Sequence, residues 1–278
     1  MGVGIDEKSL LTILGKWDTN QLKSFRLATP NFFVEDEKLF EKLIEDQLNK
    51  QKREFSRFAK ALTLWTIHPW ERDARLINEA LINDTKSYNV IIEITCTRSS
   101  EELLGARKAY HSLFKHSIEE DVAYYITTDE CKLFVALVSA YRYEGPKVDQ
   151  ELMKSEAKTV YKALKNVDGK NPIVDDELVM ILSMRSKLHI MSLIEYYQEK
   201  SGNPIDEVLQ ASMGKEADEN AREGLTRVII TRTHIDMKTI KEEYHKKYGN
   251  TLSERIKIVA NGNYKDFLLT LITREEAT

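Results

Sequence analysis

Three stretches of this chain share one grammar. Asn89–Ser117 reads NVIIEITCTRSSEELLGARKAYHSLFKHS, Val179–Gly202 reads VMILSMRSKLHIMSLIEYYQEKSG, and Arg227–Gly249 reads RVIITRTHIDMKTIKEEYHKKYG. Each pairs an apolar run with an Arg, and a second segment at helical spacing follows. A Tyr stands twelve residues beyond the Arg in every case: Arg98/Tyr110, Arg185/Tyr197 and Arg232/Tyr244. One such interval is chance, but three inside matching runs are an internal repeat, and a repeat of this length restricts the fold to stacked helical units. In the first stretch, Val90, Ile91, Ile92, Ile94 and Cys96 form the run, and Leu103, Arg107, Tyr110 and Phe114 mark the second helix. Ser99 or Ser100 stands where a helix cap is needed.

A fourth, divergent copy opens the chain in GVGIDEKSLLTILGKW. Asp6 is placed to cap a helix through Leu10, Leu11, Ile13 and Leu14, and Trp17 takes the position of the Arg. Other units imply a helix before that loop, so the first copy is expected to lack its first helix. Helices are further expected over Asp36–Leu48, Lys52–Ile67, Pro69–Ile82, Ile118–Ile126, Lys132–Tyr141, Ser155–Leu164 and Tyr264–Leu271. Phe55, Phe58, Ala59, Leu62 and Trp65 make a core-facing stripe. Tyr143–Lys147, with its Gly-Pro pair, reads as a linker dividing the protein near its middle.

Anchor spacing is uneven. Trp17 to Arg98 is 81 residues and Arg98 to Arg185 is 87, yet Arg185 to Arg232 is only 47. About three helices of chain are therefore missing near Leu209/Gln210, either deleted or omitted from this sequence. Omission is the favoured expectation, because a true deletion would expose the cores of two neighbouring copies.

The chain is 42% hydrophobic and 31% charged, with 11 Gly and 5 Pro among 278 residues, which suits an all-α fold and leaves little material for long loops. A net charge of −4 with no basic segment argues against nucleic acid as a partner. Membrane contact stays open, since a bound cation can mediate it. Two cysteines make no disulfide framework and point to a reducing, cytoplasmic setting. Cys96 reads as a core residue, with a redox-sensing role as the alternative. The six histidines form no metal spacing, His68 and Glu71 read as a junction hydrogen bond before an acid–base pair, and no nucleophile or phosphate loop is visible. An enzyme is not expected.

These copies resemble the annexin repeat, and the chain is similar to a divergent plant-type annexin. The resemblance rests on the G-x-G-x-D-E loop of the first copy, on the repeated apolar helix and Arg pattern, on Trp65-Thr66-Ile67-His68-Pro69-Trp70-Glu71-Arg72-Asp73-Ala74, on Cys96-Thr97-Arg98-Ser99, on Ser139–Gly145 and on Gly262-Asn263-Tyr264-Lys265-Asp266-Phe267. It implies four repeats of about five helices forming a curved disc, with helices missing at the start of repeat one and between repeats three and four. The repeats would span 1–67, 68–145, 146–209 and 210–278. It implies calcium-dependent peripheral binding to anionic phospholipid, in membrane-linked calcium or stress signalling, by a cytoplasmic protein that moves to membranes on a calcium rise. The alternative is a calcium-independent helical scaffold working through self-association or another annexin.

Ca²⁺ takes six to eight oxygen ligands, and a G-x-G loop offers backbone carbonyls that a later carboxylate completes. Gly2, Val3, Gly4 and Ile5 match that loop in repeat one. The family's acid lies five residues before the Phe or Tyr of the closing helix, a place filled by Lys50 in repeat one. Asp46, one turn away, is the substitute ligand, or else a solvated helix charge. In repeat four the loop aligns to Ala217-Asp218-Glu219-Asn220 without glycine, and the acid place holds Val259, so that site is expected to be lost. Repeats two (Asn83–Tyr88) and three (Asn166–Pro172) have no G-x-G, though Asp168-Gly169 offers a weak alternative. Asp73 and Arg98 match positions lining a polar channel in the family, or form a buried ion pair that fixes how repeats dock.

Overall fold

A computed structural model describes residues 7–28, 50–83, 88–139, 141–165, 175–202 and 219–273. Among them every regular element is a helix. The chain divides into two compact units, Met1–His68 with Ala217–Thr278, and Pro69–Glu216. The first and last copies thus belong to one unit and the middle copies to the other.

The middle unit holds α4 (Pro69–Ile82), α5 (Tyr88–Thr97), α6 (Ser100–Phe114), α7 (Ile118–Tyr125), α8 (Cys131–Val138), α9 (Gln150–Lys165), α10 (Asp176–Met184) and α11 (Lys187–Ser201). The corner between α5 and α6 forms as the spacing predicts. Ser99 caps α6: its hydroxyl accepts from the Glu102 amide while the Glu102 carboxylate accepts from the Ser99 amide. Ser117 and Glu120 repeat this at α7. Helix α4 packs along α6 through Gly105, where a Cβ would stand 2.2 Å from the Trp70 indole. The third copy has its own core, in which Met153, Ala157 and Val160 of α9 meet Leu178, Ile181, Leu193 and Tyr197.

Three positions keep the copies in register. Residues 115, 202 and 249, each seventeen after the ruler Arg, all adopt the left-handed conformation that ends the second helix, with φ of 65°, 73° and 71°. Two are glycine, as that geometry favours; the third is Lys115.

Tyr143–Lys147 does not divide the molecule. It lies inside the middle unit, where the Tyr143 amide donates to the Met184 carbonyl at 3.0 Å. The Arg142 guanidinium beside it donates to the Leu182 and Arg185 carbonyls at 2.6 and 2.7 Å, capping α10. Lys187 in turn donates to the Thr97 and Arg98 carbonyls, both at 2.9 Å, capping α5. Each middle copy therefore supplies the cation that closes the other's first-corner helix. Helix α8 ends at Val138 instead of running to Tyr141.

The other unit holds α1 (Glu7–Leu14), α2 (Thr19–Ala28), α3 (Lys50–Thr66), α12 (Glu219–Arg232), α13 (Met237–Tyr248), α14 (Leu252–Val259) and α15 (Gly262–Ile272). Phe58 meets Phe267 edge-on at 5.8 Å, and Trp65 stacks on His234 at 5.2 Å while its indole donates to the Leu14 carbonyl. The stripe on α3 is core as expected, with Phe58 and Trp65 buried. The expected helix over Asp36–Leu48, the Asp6 cap and the Phe55 side chain lie outside the described residues, as does the chain around Leu209/Gln210.

Candidate metal centre

The residues singled out for calcium, Gly2, Val3, Gly4, Ile5 and Asp46, lie outside the described residues. So do the loop at Asp168-Gly169, Ala217 and Asp218, and residues 84–87 of the second copy. What is described is the opposite half of the arrangement, the junction that precedes each closing helix.

In the second copy this junction runs from Ile126 to Glu130, between α7 and α8. Thr127, Thr128 and Asp129 are exposed and Glu130 is half-buried. Asp129 stands five residues before Phe134, in the junction four residues beyond the end of α7, and it has no ion-pair partner among the described residues. The sequence reading missed it because the acid place was counted only in the first and fourth copies; an Asp-Glu pair just ahead of an apolar helix was the signal at hand. Tyr88, the first residue of α5, meets Phe134 with ring centroids 5.3 Å apart and the planes tilted by 50°. Its phenol is held above the ordinary value by burial and then by negative charge at Glu130 and Cys131. The start of α5 and the acidic junction are therefore neighbours.

This donor set consists of hard oxygens from two hydroxyls and two carboxylates, which suits Ca²⁺ better than a thiophilic metal. It is also incomplete. Among the described residues no three acids, histidines or cysteines converge on a single point. The fourth copy differs in kind: Val259 fills the acid place, and Ala260 and Asn261 pass directly into α15. No carboxylate stands at that junction.

Arg98 and Asp73 form the buried ion pair, with Nε to Oδ2 at 2.6 Å and a terminal nitrogen to Oδ1 at 3.0 Å. Burial works against the Arg98 charge, but the hydrogen bond and charge of Asp73 outweigh it and hold the pKa above its ordinary value. The pair joins α4 to the end of α5 within one copy, so its work is inside a repeat and not the docking of repeats. In the third copy Arg185 binds Glu156 of α9 at 2.8 Å, and the other oxygen of Glu156 lies 2.6 Å from His189 Nε2. In the fourth, Arg232 turns to Asp236, four residues on in its own corner. Glu71 accepts from Arg75 at 2.9 Å. Cys96 is exposed, against expectation: Val90, Ile91, Ile94 and Thr95 take the core face of α5, which leaves Ile92 and Cys96 outside.

Among the described residues no helix is long and apolar enough to cross a membrane. The family model described as Annexin matches residues 72–137 and 214–271. Annexin D4 of Arabidopsis thaliana is 45% identical over 303 residues, covering 99% of this chain and 95% of that protein. Annexin-like protein RJ4 of Fragaria ananassa is 36% identical, covering 99% and 92%. The alignment with the first is longer than the 278 residues of this chain, so that relative carries residues absent here. Among solved structures, calcium-bound annexin (Sm)1 superposes with a TM-score of 0.70 at 17% identity, covering 98% of this chain and 86% of that one, a likeness of fold.

Proposed function

The chain belongs to the annexin family, and on that premise we propose that it binds anionic phospholipid peripherally through Ca²⁺, using the second copy's acidic junction. Asp129 and Glu130 would supply carboxylates to the ion, with the remaining ligands coming from water or lipid phosphoryl oxygens. The ion then bridges two surfaces that both carry negative charge. Gly2, Val3, Gly4, Ile5 and Asp46 form the second candidate set, in the first copy. The observation that carries this reading is the exposed Asp129 next to Glu130 in the junction that precedes α8, beside the start of α5. A cytoplasmic protein recruited to membranes as calcium rises, in calcium or stress signalling, follows from the same reading.

Sedimentation with phosphatidylserine vesicles tests it. Binding with Ca²⁺ and release by chelator are expected; no association at millimolar Ca²⁺ rejects the reading. The alternative, a calcium-independent scaffold working through itself or another annexin, draws on the fourth copy, whose junction has Val259 where a carboxylate is required. Complex formation in chelator with no lipid binding favours it.

A further inference from the structure

We propose that the groove between α9 and α11 is a binding site for a small, flat aromatic anion. The cavity there has a volume of about 280 Å³ and is lined by Ala157, Lys158 and Tyr161 from one helix and Tyr196, Tyr197 and Lys200 from the other. That space suits a two-ring aromatic.

The sibling copy tells which of these residues the fold requires. Aligning α6 with α11 on Tyr110 and Tyr197, and α4 with α9 on Asp73 and Glu156, pairs Ala74 with Ala157 and Arg75 with Lys158. It also pairs Asn78 with Tyr161, Ala109 with Tyr196 and Leu113 with Lys200. The small Ala, the basic residue and the buried Tyr recur, so they belong to the helix pair itself. Two rings and one ammonium are additions: the same helices pack in the second copy with an amide, a methyl and an isobutyl group in their place. There Tyr110 is fully buried, donating to Asp121 of α7 at 2.7 Å and accepting from Asn78 at 3.1 Å. Tyr161 and Tyr196 are instead half-buried and present ring surface to the groove.

The charge pattern selects the ligand. Tyr161 and Tyr197 lie 5.9 Å apart at 53°, and Lys165 sits over the Tyr161 ring at 4.6 Å. Lys200 sits over Tyr196 at 5.6 Å. Ammonium groups on flexible stems already held against aromatic faces can pivot onto a carboxylate or sulfonate while the rings take the ligand's flat body. A neutral aromatic gains only the ring contacts, and a bare anion only the exposed charges, which are weak alone.

The probe is 2-naphthoate, titrated calorimetrically into the full chain in chelator without lipid, with neutral 2-naphthamide as comparison. Saturable binding of the acid is expected, about tenfold tighter than the amide. Tyr196→Ala should weaken it by about tenfold, the scale of one stacking contact. Lys200→Gln should weaken the acid severalfold and leave both the amide and the thermal melt unchanged. Lys108→Gln, a charge change on the sibling copy, should alter nothing. No binding up to millimolar naphthoate, equal affinity for acid and amide, or unchanged binding in Tyr196→Ala would overturn the proposal. None of these outcomes bears on calcium-dependent lipid binding, which the chelator removes from the experiment.

Discussion

Arg98 holds Asp73 through both arms of its guanidinium, and the two side chains are 4% and 2% exposed. The geometry is the planar fork that only Arg presents, and it ties the end of α5 to the start of α4. The equivalent Arg185 also reaches back one helix, but both its nitrogens meet one oxygen of Glu156 while His189 holds the other, and Arg232 uses its neighbour Asp236. The ruler Arg seeks a carboxylate in the helix before its own. In the last copy it takes one from the corner itself.

Removing one member of the Arg98–Asp73 pair should be costly. Asp73→Ala leaves a buried, uncompensated guanidinium, with an expected loss of about 3–5 kcal/mol. Arg232→Ala, whose pair is local and partly exposed, should cost under about 1 kcal/mol. Urea denaturation of both variants checks the contrast, and equal losses would mean the second-copy pair is not special.

Lys115 is the non-glycine residue at positive φ among the described residues. Gly202 and Gly249 hold the equivalent positions with the same geometry. Lys115→Gly should therefore stabilise the protein by about 1 kcal/mol, the relief of left-handed strain less the added freedom of the unfolded chain. A raised denaturation midpoint would be the sign; a lowered one would show that the Lys115 ammonium bond to the Ser112 carbonyl matters more.

Tyr110 gives the fold an alkaline limit. Burial first, and then the charge of Asp121, push its phenol above the ordinary value of 10.0. The folded state thus keeps this proton where the unfolded chain has begun to lose it. The contribution is complete below pH 10 and declines as pH rises through that value towards the folded pKa. Tyr110→Phe should be less stable at pH 7, yet show a shallower fall in stability above pH 10. Parallel curves for the two proteins would contradict this.

Asp129→Asn with Glu130→Gln should raise the calcium concentration for half-maximal vesicle binding by about tenfold or more, because charge count sets affinity in oxygen sites. Melting of Asp129→Asn alone in chelator should hardly change, since Asp129 is exposed. A shift in melting with no shift in calcium dependence would make the junction structural.

The helical architecture was legible because period and capping agree: Ser99, Ser117 and the apolar runs each dictate local structure without help from distant chain. The unit division was not. A Gly-Pro segment looks like a boundary in sequence, but Arg142 and Tyr143 spend their donors on α10, and such bonds leave no local signature. Cys96 misled for a similar reason, since a run of apolar residues does not say which side of a helix faces water. The Asp129-Glu130 pair was legible as charge ahead of an apolar helix, while Tyr88 beside that junction needed the packing of α5 on α8.

Arg142 and Lys187 also bear on cooperativity. Each middle copy takes from the other the cation at the C-terminus of its first-corner helix. A cut between the two copies would therefore strip a cap from a helix on each side, and the pair is expected to open together under hydrogen exchange instead of one copy at a time.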